Sequence, residues 1–182
     1  ILDIGSGPGT TIHAKDDASL SLIKFDLSLA MLKQSLYKRD FCINGDAHSL
    51  PFAKNSISLI ISNLMLQWAH HKLNVIKEIH HALRSSSYAL ITTLIQPSLW
   101  QLQAAWKLTD VNYLDMFHVA NFKVVHYEFW EEIHYFSDVL KLLRHFKTTG
   151  TNMAKIHHKQ GIGGKHDLIT MTRAYECHRT KQ

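Results

Sequence analysis

Cysteine is nearly missing from this chain: Cys42 and Cys177 are the two in 182 residues, too few and too far apart in sequence for a disulfide framework or a zinc site. That usage points to a reducing compartment, so a cytoplasmic location is expected. Proline and glycine are scarce as well, at three and eight, which excludes collagen-like and disordered compositions. Long apolar runs are also lacking. The longest, Ile57–Leu66, is broken by Ser58, Ser62 and Asn63, whereas a spanning helix needs about 20 apolar residues, so no membrane protein is expected. The chain also lacks an initiator Met. It opens on Ile1-Leu2-Asp3-Ile4, the interior of a buried strand, and no targeting signal can be read from it.

What is present fits a globular domain of ordinary size. Apolar residues make up 46%, charged residues 19%, and 20 Lys+Arg against 15 Asp+Glu leave a net charge of +5. The Lys and Arg are dispersed and no aromatic-basic stripe stands out, which argues against a nucleic-acid partner. The 14 His include the adjacent pairs His70-His71, His80-His81 and His157-His158. Adjacent residues point to different sides of a helix or strand, and no H-E-x-x-H spacing occurs, so no metal site is expected.

Strand-length apolar runs alternate with stretches of helical period. Ile1–Ile4, Leu20–Phe25, Phe41–Ile43, Ile57–Ser62 and Tyr88–Leu94 read as strands. Helices are expected at Thr10–Asp16, Ser28–Tyr37, His71–Leu83 and Ser98–Asp110, the third with a core-facing stripe of Leu73, Ile76, Ile79, His80 and Leu83. This order predicts an α/β fold with a doubly wound, mostly parallel sheet. Beyond residue 110 the pattern predicts a helix over Val111–Ala120, a strand over Phe122–Phe129, a Ser-capped helix over Ser137–Phe146 and a last helix over Leu168–His178. A glycine- and histidine-bearing loop, Gly150–Gly164, separates the final two helices. The chain reads as one domain, with residues 1–97 as a ligand-binding core and 98–182 as substrate-side helices, strand and loop.

The strongest local signal is Asp3-Ile4-Gly5-Ser6-Gly7-Pro8-Gly9-Thr10, which follows a strand and opens a helix. Glycines there let the backbone turn tightly and approach a ligand. The G-x-G-x-G spacing alone could begin a dinucleotide fold, which prefers G-x-G-x-x-G. Pro8 inside it favours a nucleoside ligand without a pyrophosphate. Asp26 ends the second strand, where a carboxylate can accept hydrogen bonds from two ribose hydroxyls or can instead cap the helix after Ser28. Gly45-Asp46-Ala47 follows the third strand and places a carboxylate that could accept from an adenine amino group. Three such sites at three successive strand ends converge on one crevice, the place where open α/β sheets bind ligands.

These residues resemble a known family. Leu2–Gly9, Asp26-Leu27-Ser28 with Met31-Leu32, and Gly45-Asp46-Ala47 with Leu50-Pro51-Phe52 are similar to the motifs of class I S-adenosylmethionine-dependent methyltransferases, which have a Rossmann-like fold. Three further stretches, Ser62–Trp68, Thr92–Trp106 and Leu142–Asn152, resemble the BioC-type malonyl-[acyl-carrier protein] O-methyltransferases of biotin synthesis. The resemblance implies S-adenosylmethionine as cofactor and methylation of the free carboxylate of a malonyl thioester on an acyl-carrier protein. It implies that Gly5, Ser6 and Gly7 meet the methionine part, Asp26 and Leu27 the ribose, Asp46 and Ala47 the adenine, and Asn63 the cofactor amino group through its backbone, with Met31 also binding the cofactor. Gln67 and Trp68 would sit near the transferred methyl, although Trp68 also reads as a core aromatic. Lys147, His157, His158 and Lys159 would guide the substrate, or are simply solvated cations. No catalytic acid-base pair is assigned.

The sequence departs from that family at three places. Pro97 stands where the family has Gly, Arg84-Ser85-Ser86-Ser87 replaces a Lys/Arg-Pro-x-Gly turn, and His158 and Lys159 stand where relatives carry two arginines. The family's final strand, inserted antiparallel beside the fifth, has no counterpart before Gln182. The expectation is therefore a domain trimmed at both ends with an exposed fifth-strand edge. A quinone-precursor methyltransferase, or an inactive relative that only binds cofactor or partners, are the competing readings.

Overall fold

The computed structural model describes residues 1–9, 21–34, 41–95, 98 and 112–148, with the side chains of 146–148 excepted. The expected helices Thr10–Asp16, Ser98–Asp110 and Leu168–His178 and the loop Gly150–Gly164 lie outside the described residues, apart from Ser98. The chain falls into two compact units, residues 1–94 with 113–125 and residues 95–112 with 126–182.

The first unit is built on a five-stranded sheet of order β3-β2-β1-β4-β5. Its strands are β1 (Leu2–Ile4), β2 (Ile23–Asp26), β3 (Phe41–Asn44), β4 (Ile57–Asn63) and β5 (Leu83–Thr92). Every pairing is parallel, as continuous apolar strands joined by helical crossovers require. Because β1 pairs with β2 on one side and β4 on the other, the strand order reverses at β1, and the crevice above it is the switch point where ligands bind.

Helix α1 (Leu29–Leu32) starts at Ser28, whose Oγ accepts the Met31 N–H, a capping contact that satisfies one open backbone donor. Residues 35–37 of the expected helix lie outside the described residues. Helix α2 (Lys72–Ala82) buries Val75, Ile76, Ile79 and Ala82. The expected stripe is therefore rotated: Leu73 is half-buried and His80 is exposed, its ring set edge-on to Phe122 with centroids 5.1 Å apart. Val75 and Ala82 extend the i, i+3, i+4 pattern through Ile79 and leave His80 at its margin. Helix α3 (Tyr113–Val119) completes the described part of this unit.

Strand β5 begins five residues before the expected Tyr88, directly after α2. Ile57 pairs with Leu83 and Leu59 with Tyr88, so residues 84–87 bulge opposite Ser58. Ser86 takes the left-handed conformation in this bulge, at φ 61°. This is the Arg84–Ser87 stretch that departs from the family turn. A side chain in that region costs about 1–2 kcal/mol, partly offset by the extra chain entropy that glycine loses on folding. Ser86→Gly is expected to stabilise the domain by about 0.5–1 kcal/mol, read as a higher urea midpoint at unchanged slope.

The strand expected at Phe122–Phe129 does not form; residues 122–136 have no regular structure. Alternating apolar residues specify two faces, but a strand exists only where a neighbour supplies ladder partners. Among the described residues none pairs with this segment or with the outer side of β5. Val125, Tyr127, Phe129, Trp130, Ile133 and Tyr135 are all exposed.

In the second unit, helix α4 (Val139–Thr148) buries Val139 and Leu142, and the Phe136 and His145 rings lie 5.6 Å apart. Asp138, not the expected Ser137, caps it: Asp138 Oδ1 accepts the Lys141 N–H at 2.9 Å, while the Ser137 hydroxyl donates to Asp138 Oδ2. A carboxylate at a helix start answers both the open N–H groups and the positive end of the dipole.

Candidate active site

The ends of β1, β2, β3 and β4 form one crevice, held open by the glycines between them. Gly5, Gly7 and Gly9 all have positive φ, at 73°, 55° and 72°. A Cβ on Gly5 would run into the Met65 side chain and one on Gly9 into Lys24, whereas one on Gly7 would meet nothing within 4 Å. The first and third glycines are required by packing beneath the loop. The middle one leaves its backbone open to a ligand.

Asp26 joins this loop to the next element. Its Oδ2 accepts the Gly7 N–H at 2.8 Å and its Oδ1 the Ser28 N–H at 2.7 Å. The Gly5 and Ser6 N–H groups both donate to Phe25 O. A carboxylate has about four acceptor positions, so each oxygen keeps capacity for a ribose hydroxyl while acting as a tie. Asn44, which no sequence signal marked, donates its Nδ2 to both Asp26 O and Leu27 O at 2.9 Å. Leu27 stands 66% exposed, an apolar surface that a ligand could cover. Met31 is half-buried and donates its backbone N–H to Ser28.

At the end of β3, Gly45 packs its backbone on the Phe25 ring, which a Cβ would strike at 2.7 Å. Asp46 follows, exposed, with Ala47 half-buried behind it. Asp46 Oδ1 accepts the His48 N–H at 2.9 Å and meets His48 Nδ1 at 2.6 Å. The His48 N–H, ahead of the His48 ring and the charge of His70, holds the Asp46 carboxyl below its ordinary 3.8, against a smaller upward push from burial.

The end of β4 is fixed by β5. Asn63 Oδ1 accepts the Thr92 hydroxyl at 2.5 Å, and the Leu64 N–H reaches Thr92 O and Oγ1. With its side chain so engaged, Asn63 offers its backbone. Leu64 is left-handed at φ 51°, strain of the kind found at binding sites. Leu66–Trp68 forms one turn of 3-10 helix. Gln67 donates Nε2 to Leu64 O at 2.7 Å and accepts the Thr93 hydroxyl at 3.2 Å. Its amide braces the wall. Trp68 is half-buried beside it. Tyr113, from α3, hydrogen-bonds Thr93, yet burial outweighs that bond and raises its phenol.

Beneath the loop, Asp3 and Lys24 are register partners, both buried. Lys24 Nζ donates to Gly9 O at 3.4 Å. Burial pushes Asp3 from 3.8 to about 6; Lys24 opposes the shift and Asp26 adds to it. Since the folded value is the higher one, Asp3 contributes stability below pH 3.8 that is lost as pH rises through about 6. The difference is about 3 kcal/mol. Urea unfolding at pH 4–7.5 should therefore show native stability falling relative to Asp3→Asn across that window. Parallel profiles would remove Asp3 as the cause.

Two buried hydroxyl oxygens, Ser6 Oγ and Ser62 Oγ, have no hydrogen-bond partner among the described residues. Ser6 stands in the glycine loop and Ser62 inside β4, one residue before Asn63. Buried hydroxyls are normally paired, so a polar ligand seated on the loop suits them. Among the described residues no three His, Cys, Asp or Glu side chains are placed to share a metal ion. No described helix is long and apolar enough to cross a membrane.

Of the sequence-predicted site residues, Gly5, Ser6, Gly7, Asp26, Leu27, Asp46, Ala47 and Asn63 lie at these strand ends or within three residues after them, Met31 in α1, and Gln67 and Trp68 in the 3-10 turn after β4. Lys147 belongs to α4, but its side chain is outside the described residues, as are His158 and Lys159.

Residues 2–91 match the family model described as a methyltransferase domain. These residues form an S-adenosylmethionine-dependent methyltransferase domain. S-adenosylmethionine is accordingly the cofactor of this methyltransferase domain, and the glycine loop, two open carboxylates and orphaned Ser6 hydroxyl fit it.

Two relatives are similar along much of the chain. The biotin biosynthesis bifunctional protein BioHC of Cellvibrio japonicus is 28% identical, over 100% of this chain and 39% of its own length. The malonyl-[acyl-carrier protein] O-methyltransferase of Pseudescherichia vulneris is 33% identical, over 60% of this chain and 45% of its own. The methyltransferase chain thus spans less than half the length of both. Among solved structures, the [4+2]-cyclase SpnF superposes with a TM-score of 0.60 over 97% of this chain and 68% of its own, at 18% identity. That likeness shows the shared fold. The cyclase's reaction is its own.

Proposed function

We propose that this chain methylates the free carboxylate of malonyl-[acyl-carrier protein]. The likeness to a BioHC protein over the full chain, together with a crevice whose glycines and carboxylates suit the cofactor, supports this reading. Asp26 and Leu27 hold the ribose, Asp46 and Ala47 the adenine, and Gly5, Ser6, Gly7 and the Asn63 backbone the methionine part, with Met31 also on the cofactor. When bound, the cofactor supplies an electrophilic methyl group on sulfur.

The acceptor carboxylate is ionised at neutral pH, so no general base is needed. The chain's part is alignment and exclusion of water. Gln67 is braced at both ends of its amide and, with Trp68, forms a fixed wall beside the reacting carboxylate. Lys147, His158 and Lys159 are the candidates for guiding the substrate by positive charge. A net charge of +5 steers an acidic carrier protein to the chain, in the cytoplasm.

The reading is tested by incubating the chain with S-adenosylmethionine and malonyl-carrier protein, malonyl-CoA or a hydroxyaryl acceptor, and weighing the products. A methyl ester formed fastest on the carrier-bound malonyl group is the expected result. Methylation of the hydroxyaryl compound alone would replace the assignment with a quinone-precursor enzyme. No turnover despite cofactor binding would leave a relative that only binds.

A further inference from the structure

We propose that His48 is the positioning residue for adenine recognition: it clamps one oxygen of Asp46 and anchors the loop 45–50 to the start of α2. This rests on the reading above that Asp46 meets the adenine amino group. The loop after β3 has no regular structure, so a carboxylate on it needs external restraint to present one fixed acceptor. His48 supplies that restraint through both nitrogens of its ring.

The ring's protonation follows from its neighbours. Nδ1 lies 2.6 Å from Asp46 Oδ1; a carboxylate only accepts, so Nδ1 carries the proton. Nε2 lies 3.2 Å from the His71 backbone nitrogen, which donates; Nε2 therefore accepts. His48 is thus neutral, in one tautomer, with both nitrogens engaged. The same Asp46 oxygen also takes the His48 N–H at 2.9 Å, so both contacts with His48 fall on Oδ1 of an exposed residue and neither uses Oδ2. A second anchor acts two residues on, where the Leu50 N–H donates to Glu78 Oε2 of α2 at 2.9 Å.

The arrangement is pH-sensitive by construction. A second proton on the imidazole makes Nε2 a donor facing the His71 N–H, and the anchor to α2 is then lost. The Asp46 contact survives as an ion pair. The titratable groups around the ring are Asp46 on its own loop, His70 and His71 before α2, the His71 ring lying edge-on at 6.1 Å, and Glu78 and Lys72 on α2. Lys72 Nζ is held by Ala69 O at 3.0 Å.

The test is calorimetric binding of S-adenosylhomocysteine and of S-inosylhomocysteine, which lacks the amino group, between pH 5.5 and 8. Native protein should prefer the adenine compound, with a preference that weakens toward pH 5.5. His48→Ala should lose about tenfold of that preference at pH 8. His48→Asn, whose amide nitrogen replaces Nδ1, should restore most of it but with no pH dependence. Should His48→Ala fail to fold, the Asn variant's flat profile carries the test alone. Unchanged preference in His48→Ala, or a native-like pH profile in His48→Asn, overturns the proposal. Asp46→Ala separates the two ideas. If it keeps the preference, the adenine assignment itself fails; if it loses the preference while His48→Ala keeps it, only the role of His48 fails.

Discussion

Asp26→Ala is expected to weaken S-adenosylhomocysteine binding by about 100-fold, because two hydrogen bonds from ribose hydroxyls to a carboxylate are lost together. The same substitution frees the Gly7 and Ser28 N–H groups that Asp26 now holds, so the loop loses its tie as the ligand loses its acceptor. Calorimetry reads the first effect and urea unfolding the second. Asp26→Asn keeps one neutral acceptor and should fall between native and Ala in affinity. Affinity unchanged in Asp26→Ala, with stability lowered, would reduce Asp26 to a tie between loop and helix.

Gly5→Ala should be the most damaging single methyl in the crevice. The backbone there is left-handed, costing about 1–2 kcal/mol for any side chain, and the new methyl would collide with Met65, adding about 1–3 kcal/mol of overpacking. That is a large fraction of the 5–15 kcal/mol by which a domain is typically stable. Gly7→Ala carries only the backbone cost, since its Cβ enters open space. It should lose about 1–2 kcal/mol of stability, less than Gly5→Ala, yet bind cofactor poorly, because the methyl occupies ligand volume. Equal losses of stability in the two variants would show that Met65 yields and that packing is not what selects glycine at position 5.

The part of the site carried by short contiguous motifs was legible in the sequence. Glycines after an apolar strand and acids at the next two strand ends need only the strand order to converge, and parallel alternation predicts that order. The parts that depend on side chains meeting across the fold were not legible. An Asp and a His two apart say nothing of each other until the turn Asp46–Ser49, closed by the Ser49 N–H on Asp46 O, brings them together. Asn44 and Met65 carry no motif, and their roles arise from what β2 and β1 place opposite them. Lys24 would be read from composition as a surface cation, yet the sheet buries it under Gly9. The segment Phe122–Phe129 alternates as a strand does, but alternation names a face and not a neighbour.

The strand order has a further consequence, in the exchange of backbone hydrogens with solvent. β1 is flanked on both sides, whereas β3 and β5 stand at the ends of the described sheet. Opening β1 to deuterium requires parting it from β2 or β4, which is close to global unfolding, while β5 has a single strand neighbour among the described residues. The glycine loop hangs from the end of the slow strand and the Thr92 contact from the end of the fast one. The two walls of the crevice thus hang from strands with different numbers of neighbours in the described sheet, and the amides of β5 are expected to exchange sooner than those of β1.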